Sequence, residues 1–409
     1  MLYGYSNRVI LHCDLNNFFA SVESYFDPAL KDVPMAVCGS TKERHGIVLA
    51  KNELAKKFAV KTAEPIWQAK RKCSDLVCVP PHYKWYDIFS KQAREIYLKY
   101  TDLVEPFGID ECWLDVTGSS LLFGSGEEIA ENIRKEIKHQ LGVTISVGVS
   151  FNKVFAKLGS DLKKPDAVTV INQQNFKNIV WPLSPDALIG VGRSSMKILT
   201  KMGIKTIGEV ANCSLHTIES QLGKGGLELW QNANGYHNSP VVSLRSMPAA
   251  KSYSRGVTQA QNLLTEEDVK RTLIPLAESI SKQMRRDRVL ASTVAISVRD
   301  EDLITTDRQK RLECPSRVVD TLVKTAMELY RENYKDVGEI RSVTIHATNL
   351  VDDSICDQFS LFGDADRSEK MEIIDSQVDM IRQKFGKDAI KRASSISVNH
   401  DAPGFKRQV

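Results

Sequence analysis

The chain has 409 residues, 42% hydrophobic and 26% charged, with a formal net charge of +4. That length exceeds one ordinary core, so at least two domains are expected in a globular protein. No apolar run approaches the ~18 residues of a membrane span, the N-terminus lacks a signal-peptide layout, and eight scattered cysteines without a CxxC pair argue against zinc and for a reducing cytosol.

In chain order, RVILHCDL reads as a short strand ending in an acid, and NNFFASVESYFD as a helix closed by Pro28. PMAVCG and GIVLA read as strands, and KNELAKKFAV as a basic helix. HYKWYDIFSKQAREIYLKYTD is a long amphipathic helix leading into LVEPFGIDECWLDVT, where Gly108 suits a hairpin bend just before Asp110 and Glu111. Strand alternation would send neighbouring side chains to opposite faces; a bend lets both carboxylates approach one ion. SGEEIAENIRKEIKHQL opens with a capping box, Ser125 and Glu128, and repeats apolar residues at 129, 133, 137 and 141. TISVGVS is a buried strand and NKVFAKLGSDL a helix. The order strand-helix-strand-strand-helix-strand fits a ferredoxin-like sheet with helices on one face.

From about Trp181 short helices and glycine turns take over. The Gly190–Gly192 turn offers backbone N–H groups to a phosphate. Residues 236–250 read as a linker. Beyond it, LASTVAISVRD and IRSVTIHAT are alternating strands around the helix VVDTLVKTAMELYREN, a second, smaller α/β domain with an open face carrying Ser297, Arg299, Thr344 and His346. From Asn349 onward the chain holds 9 Lys and Arg against 11 Asp and Glu, so the excess of positive charge lies before this tail. Such an excess favours phosphate partners without identifying one. A last helix, with Met371, Ile374, Val378, Ile381 and Phe385 in three-four steps, is expected to bury that stripe.

Asp14, Asp110 and Glu111 are hard oxygen donors with no His or Cys motif beside them, a set suited to Mg²⁺ or Mn²⁺. They also fit a plainer reading, with Asp14 capping the next helix and Asp110 in a surface turn. VILHCDLNNFFASVE, VEPFGIDECWLDVT and GVSFNKVFAKLGSDLKKP together resemble the palm motifs of Y-family translesion DNA polymerases, in the DNA polymerase IV (DinB) branch, and the similarity runs from about residue 8 to 350. The resemblance implies a bacterial, low-fidelity, DNA-directed DNA polymerase of the damage-tolerance and repair machinery, a mutator without proofreading. It implies a right-hand, multi-domain α/β architecture: a ferredoxin-like palm (1–20 and 76–170), small fingers (21–75), a helical helix-hairpin-helix thumb (171–235), a linker (236–250), an α/β little finger (251–350) and a C-terminal tail (351–409).

The resemblance also implies site roles. Asp14, Asp110, Glu111 and the carbonyl of Leu15 would hold two Mg²⁺ ions. Phe19 would be the steric gate against ribonucleotides, and Phe18 would pack near the incoming base and sugar. Asn52, Lys56 and Lys164 would bind the nucleotide. Where the family usually presents Tyr and then Arg, this chain has Glu53 and Lys56, so Glu53 is expected to turn toward Lys56 or Lys57. Gly190, Gly192, Lys251, Ser252 and Arg255 would meet DNA. Gln358, Ser360, Leu361 and Phe362 resemble a bacterial sliding-clamp (beta-clamp) peptide. The implied partners are primer–template DNA, deoxynucleoside triphosphates and the clamp, for a cytoplasmic monomer without membrane contact. A DNA- and clamp-binding scaffold and a template-independent nucleotidyl transferase are the competing classes. The intact acids oppose the first, and the thumb turn and second domain oppose the other.

Overall fold

The structure, a computed structural model, describes residues 4–5, 7–41, 44, 46–246, 248–334, 338–355, 365–386 and 388–393. The expected clamp peptide lies outside the described residues. The chain forms two compact units, residues 1–41 with 46–247, and residues 42–45 with 248–409. Among the described residues no helix is long and apolar enough to cross a membrane.

In the first unit β1 (Ile10–Leu15) is buried at every position and runs into α1 (Phe18–Phe26). A small sheet follows, built from β2 (Met35–Cys38), β3 (Val48–Lys51) and, across α2 (Glu53–Lys57) and α3 (Ile66–Lys72), β4 (Val77–Val79); its order is β3-β2-β4. Sequence pattern alone runs α2 on to Val60, but the helix stops at Lys57. Asn52 caps its start, and Ala59, at φ 56°, leaves helical geometry.

Next come α4 (Tyr83–Tyr97), β5 (Val104–Pro106), β6 (Glu111–Asp115), α5 (Ser120–Phe123), α6 (Gly126–Leu141), β7 (Ile145–Ser150), α7 (Lys153–Leu162) and β8 (Val168–Ile171). Their strands join β1 in a sheet ordered β5-β6-β1-β7-β8. The capping box of α6 is formed as expected. Ile129, Ile133 and Ile137 pack with α4 under Leu11, Cys13 and Leu15 of β1, each such side chain contributing about 1.5–3 kcal/mol by leaving water. The expectation of helices on one face is corrected here, because α7 lies on the opposite face, against Ile10 and His12 of β1. Gly148 makes this approach feasible: a Cβ there would stand 1.9 Å from the Ala156 carbonyl oxygen.

Five short helices complete this unit: α8 (Phe176–Val180), α9 (Arg193–Lys201), α10 (Ile207–Asn212), α11 (Leu215–Leu222) and α12 (Lys224–Ala233). They share a core with Phe151, Phe155 and Phe176. The stretch after them is irregular yet anchored, with Val241 buried and Val242 N–H donating to Glu105 Oε2 at 2.7 Å.

The second unit holds β9 (Ser252–Leu263), α13 (Glu266–Arg286), β10 (Val289–Asp300), β11 (Thr305–Ser316), α14 (Val319–Asn333) and β12 (Ile340–Asp352), its sheet ordered β11-β10-β12-β9. Val294, Ile296 and Val298 pair with Val343, Ile345 and Ala347 on a face buried under α13 and α14. The terminal helix α15 (Ala365–Phe385) overturns one expectation. Its apolar stripe is not buried: Ile374 is 50% exposed and Phe385 67%, whereas Asp375 is 3% exposed. Ion pairs hold the polar side instead, Arg285 to Asp379, Arg317 to Glu372, Arg382 to Glu278 and Arg392 to Asp375.

Candidate active site

β1 and β6 run antiparallel with Asp14 directly opposite Glu111. Alternation sends Leu11, Cys13 and Leu15 into the core beneath the sheet, so His12 and Asp14 face α7. Leu15 therefore turns its side chain away, and its backbone is what faces the acids. Gly108, at φ 119°, makes the bend before β6. Asp110 follows in that bend, its carbonyl accepting from Leu15 N–H at 3.1 Å. The hairpin thus brings Asp110 and Glu111 to the end of the strand that carries Asp14.

All three carboxylates are desolvated, with different results. Burial pushes Asp14 up to about 7, against the pull of Lys164. Asp110 is likewise raised, by burial and by the neighbouring Glu111. Burial would also raise Glu111, but contacts with His12 and Lys157 outweigh it and bring it to about 2. Lys157 is the stronger of the two. Its Nζ stands 2.7 Å from Glu111 Oε2, whereas His12 Nε2 is 3.5 Å away on a ring that burial pushes down. Lys164 Nζ contacts Asp14 Oδ2 at 2.7 Å and Asp161 Oδ1 at 2.8 Å.

Among the described residues no three His, Cys, Asp or Glu side chains are gathered as a ready metal cage. The donor set nevertheless fits a hard divalent cation, being oxygen-only, desolvated and already countered by ammonium groups. Lysines occupy the positions of positive charge that the acids demand.

Phe19, the expected gate, is distinct from its neighbour. Phe19 is partly buried and stacks on Tyr86, with ring centroids 4.1 Å apart at 10°. Phe18 differs from expectation: its ring is 3% exposed within the core, because it falls on the helix face that packs under the sheet. Asn52 differs too. Its carboxamide accepts from Ala55 and Met35 N–H and donates to the Leu30 and Val33 carbonyls, so it is committed to holding α2. Glu53 does turn to Lys56, at 2.7 Å, and also accepts from Asn17 Nδ2 at 2.8 Å.

Sequence reasoning missed His12, Asn16 and Lys157. His12 Nδ1 hydrogen-bonds Ser160 Oγ at 2.8 Å, and since that hydroxyl donates to the Lys157 carbonyl, Nδ1 carries the proton. Asn16 joins β7 through Ser146 Oγ and receives Asp166 N–H. The signal for Lys157 was available, as it lies four residues after Lys153 on one helix face.

Away from these acids, Gly190, at φ 89°, and Gly192, the N-cap of α9, have nothing within 4 Å of a Cβ position, and no side chain caps the helix. Its first N–H groups remain available to an anion. In the second unit Lys251, Ser252 and Arg255 are exposed around the start of the edge strand β9.

Residues 13–161 match the impB/mucB/samB family and residues 250–361 its C-terminal domain. DNA polymerase IV of Acetivibrio thermocellus is 48% identical over 94% of this chain and 96% of its own length. DNA polymerase IV 1 of Bacillus subtilis is 34% identical over 95% of this chain and 94% of its own. Among solved structures, a Y-family DNA polymerase chimera superposes with a TM-score of 0.74 at 25% identity, covering 84% of this chain and 99% of that one. Opposed acids on a doubly covered sheet and similarity over nearly the whole chain leave one conclusion: the chain belongs to the impB/mucB/samB family, as a Y-family DNA-directed DNA polymerase of the DNA polymerase IV kind.

Proposed function

We propose that this protein extends a primer on a DNA template by two-metal phosphoryl transfer, with low fidelity and without proofreading, and continues past damaged bases. The observation that carries this is the cross-strand pair Asp14 and Glu111, with Asp110 in the adjoining bend and a lysine on each paired acid. Family membership implies dependence on a divalent metal; the reading here is Mg²⁺, held by Asp14, Asp110, Glu111 and the Leu15 carbonyl. When bound, such ions neutralise a triphosphate and make a primer hydroxyl more acidic.

The chain's own groups do the rest. Lys164 and Lys56 meet the triphosphate as point charges. The Phe19 ring, braced by Tyr86, lies beneath the sugar and excludes a 2′-hydroxyl. The Gly190–Gly192 turn and the strand from Lys251 to Arg255 grip the DNA backbone without reading bases. Residues 21–75 serve as fingers, 171–235 as thumb and 251–350 as little finger. The tail peptide Gln358–Phe362 docks a cytoplasmic, monomeric enzyme onto a sliding clamp.

The test is primer extension on undamaged and abasic templates with Mg²⁺ and four deoxynucleotides. Asp110→Ala/Glu111→Ala is expected to lose at least about 10³-fold in rate, while the wild type copies past the lesion. Extension by the double variant at the wild-type rate would overturn the metal site. In the same assay, deleting residues 358–362 is expected to remove stimulation by added clamp and leave unaided synthesis; retained stimulation would overturn the peptide assignment.

A further inference from the structure

Glu53, the first residue of α2, directs one carboxylate oxygen to two donors. Its Oε1 accepts from Asn17 Nδ2 at 2.8 Å and from Lys56 Nζ at 2.7 Å. Asn17 is the N-cap of α1, held at φ 48°, two residues before Phe19. Glu53 is not needed to start α2, because Asn52 caps that helix and fixes it to Leu30, Val33 and Met35. Its two contacts therefore serve something other than helix formation.

The charges around it point the same way. Lys51, at the end of β3, is pushed down by burial and then by Lys56, while Glu64 and Glu53 pull it back up, so the two ammonium groups share this corner with two carboxylates. Burial alone would raise Glu53, but hydrogen bonds from Lys56 and Asn17 pull it down, keeping it ionised. The pair is partly exposed, Lys56 at 36% and Glu53 at 44%. An ion pair in that setting is weak, so it can be exchanged for a more highly charged partner.

We propose that Glu53 is a positioning residue that stands in for phosphate. It parks the Lys56 ammonium beside the Asn17 turn, and an incoming triphosphate displaces it. This rests on the reading of Lys56 as a triphosphate contact given above. The carboxylate limits the rotamers of a flexible lysine, and its retained bond to Asn17 keeps α2 tied to the start of α1 during the exchange. The exchange is selective for strongly anionic nucleotides, because a ligand must outcompete a carboxylate already in place.

The experiment measures equilibrium binding of a deoxynucleoside triphosphate to the full chain on a dideoxy-terminated primer–template. It compares wild type, Glu53→Gln, Lys56→Ala and the double variant. Gln keeps an acceptor for Asn17 and removes the charge. Glu53→Gln is expected to tighten binding about fivefold, Lys56→Ala to weaken it about tenfold, and the gain from Glu53→Gln to vanish once Lys56 is Ala. A purely structural Glu53 would leave affinity unchanged or weaken it in both backgrounds, and an equal gain in both would mean simple repulsion of phosphate. Either result, with Lys56→Ala still weakened, overturns the stand-in role alone. Wild-type affinity in Lys56→Ala overturns the phosphate contact of Lys56 and this proposal with it.

Discussion

Helices cover both faces of the five-stranded sheet, and of the polar groups left inside it His12 and Asp14 are stripped of water and Glu111 is largely so. In the four-stranded sheet α13 and α14 cover one face, while Arg299 on the other is solvated and Ser297 bonds His346 at 2.7 Å. Desolvation is what gives carboxylates the leverage to demand a cation. A solvated face instead offers many weak, interchangeable contacts, which suit a backbone gripped without regard to sequence. On the proposed function, one sheet serves chemistry at a point and the other adhesion along a length.

Substitutions test this contrast in proportion to burial. The largest effect is expected from Phe19→Ala: discrimination against ribonucleotides falls on the order of a hundredfold while deoxynucleotide addition survives, measured by single-nucleotide incorporation. Unchanged discrimination would remove Phe19 from the gate. Next comes Gly148→Ala, whose added carbon meets the Ala156 backbone at 1.9 Å. A loss of about 1–3 kcal/mol is expected in denaturant unfolding. The matched change on the open sheet, Gly256→Ala, meets the Thr344 hydroxyl, part of a side chain that can turn, so its cost is below that of Gly148→Ala. Equal costs would show that the two sheets are packed alike. The smallest effect is expected at Arg255→Ala, a few-fold loss of DNA affinity with the salt slope reduced by about one. A loss confined to particular template sequences would contradict backbone gripping.

Much of the acidic edge, as a juxtaposition of residues, was legible in the sequence. Asp14 and the Asp110–Glu111 bend are local signals, because a strand end and a glycine hairpin can each be read from neighbouring residues. The Ser125–Glu128 capping box was legible for the same reason. What escaped depends on partners far along the chain. TISVGVS does not say which face meets a helix, since both are buried. Asn52 looked like a nucleotide contact until its carboxamide was seen bonded to Leu30, Val33 and Met35. β11 was missed because an edge strand with one wet face, TTDRQKRLECPS, shows little apolar alternation. The stripe on α15 misled because arginines from three other segments hold the helix by its acids.

The seating of α7 on Gly148 has a consequence for how the acids are aligned. Lys153 bonds Glu105 at 2.6 Å, Lys157 bonds Glu111 at 2.7 Å, and Lys164, just past the helix, bonds Asp14 at 2.7 Å. Lys153 and Lys157 ride on one helix, and Lys164 leaves from its end; the height of that helix above the sheet is set by main chain against main chain, with no side chain between to yield. The three couplings therefore keep a common gauge. A slip of α7 would detune all of them together, and no single side-chain adjustment could retune the set.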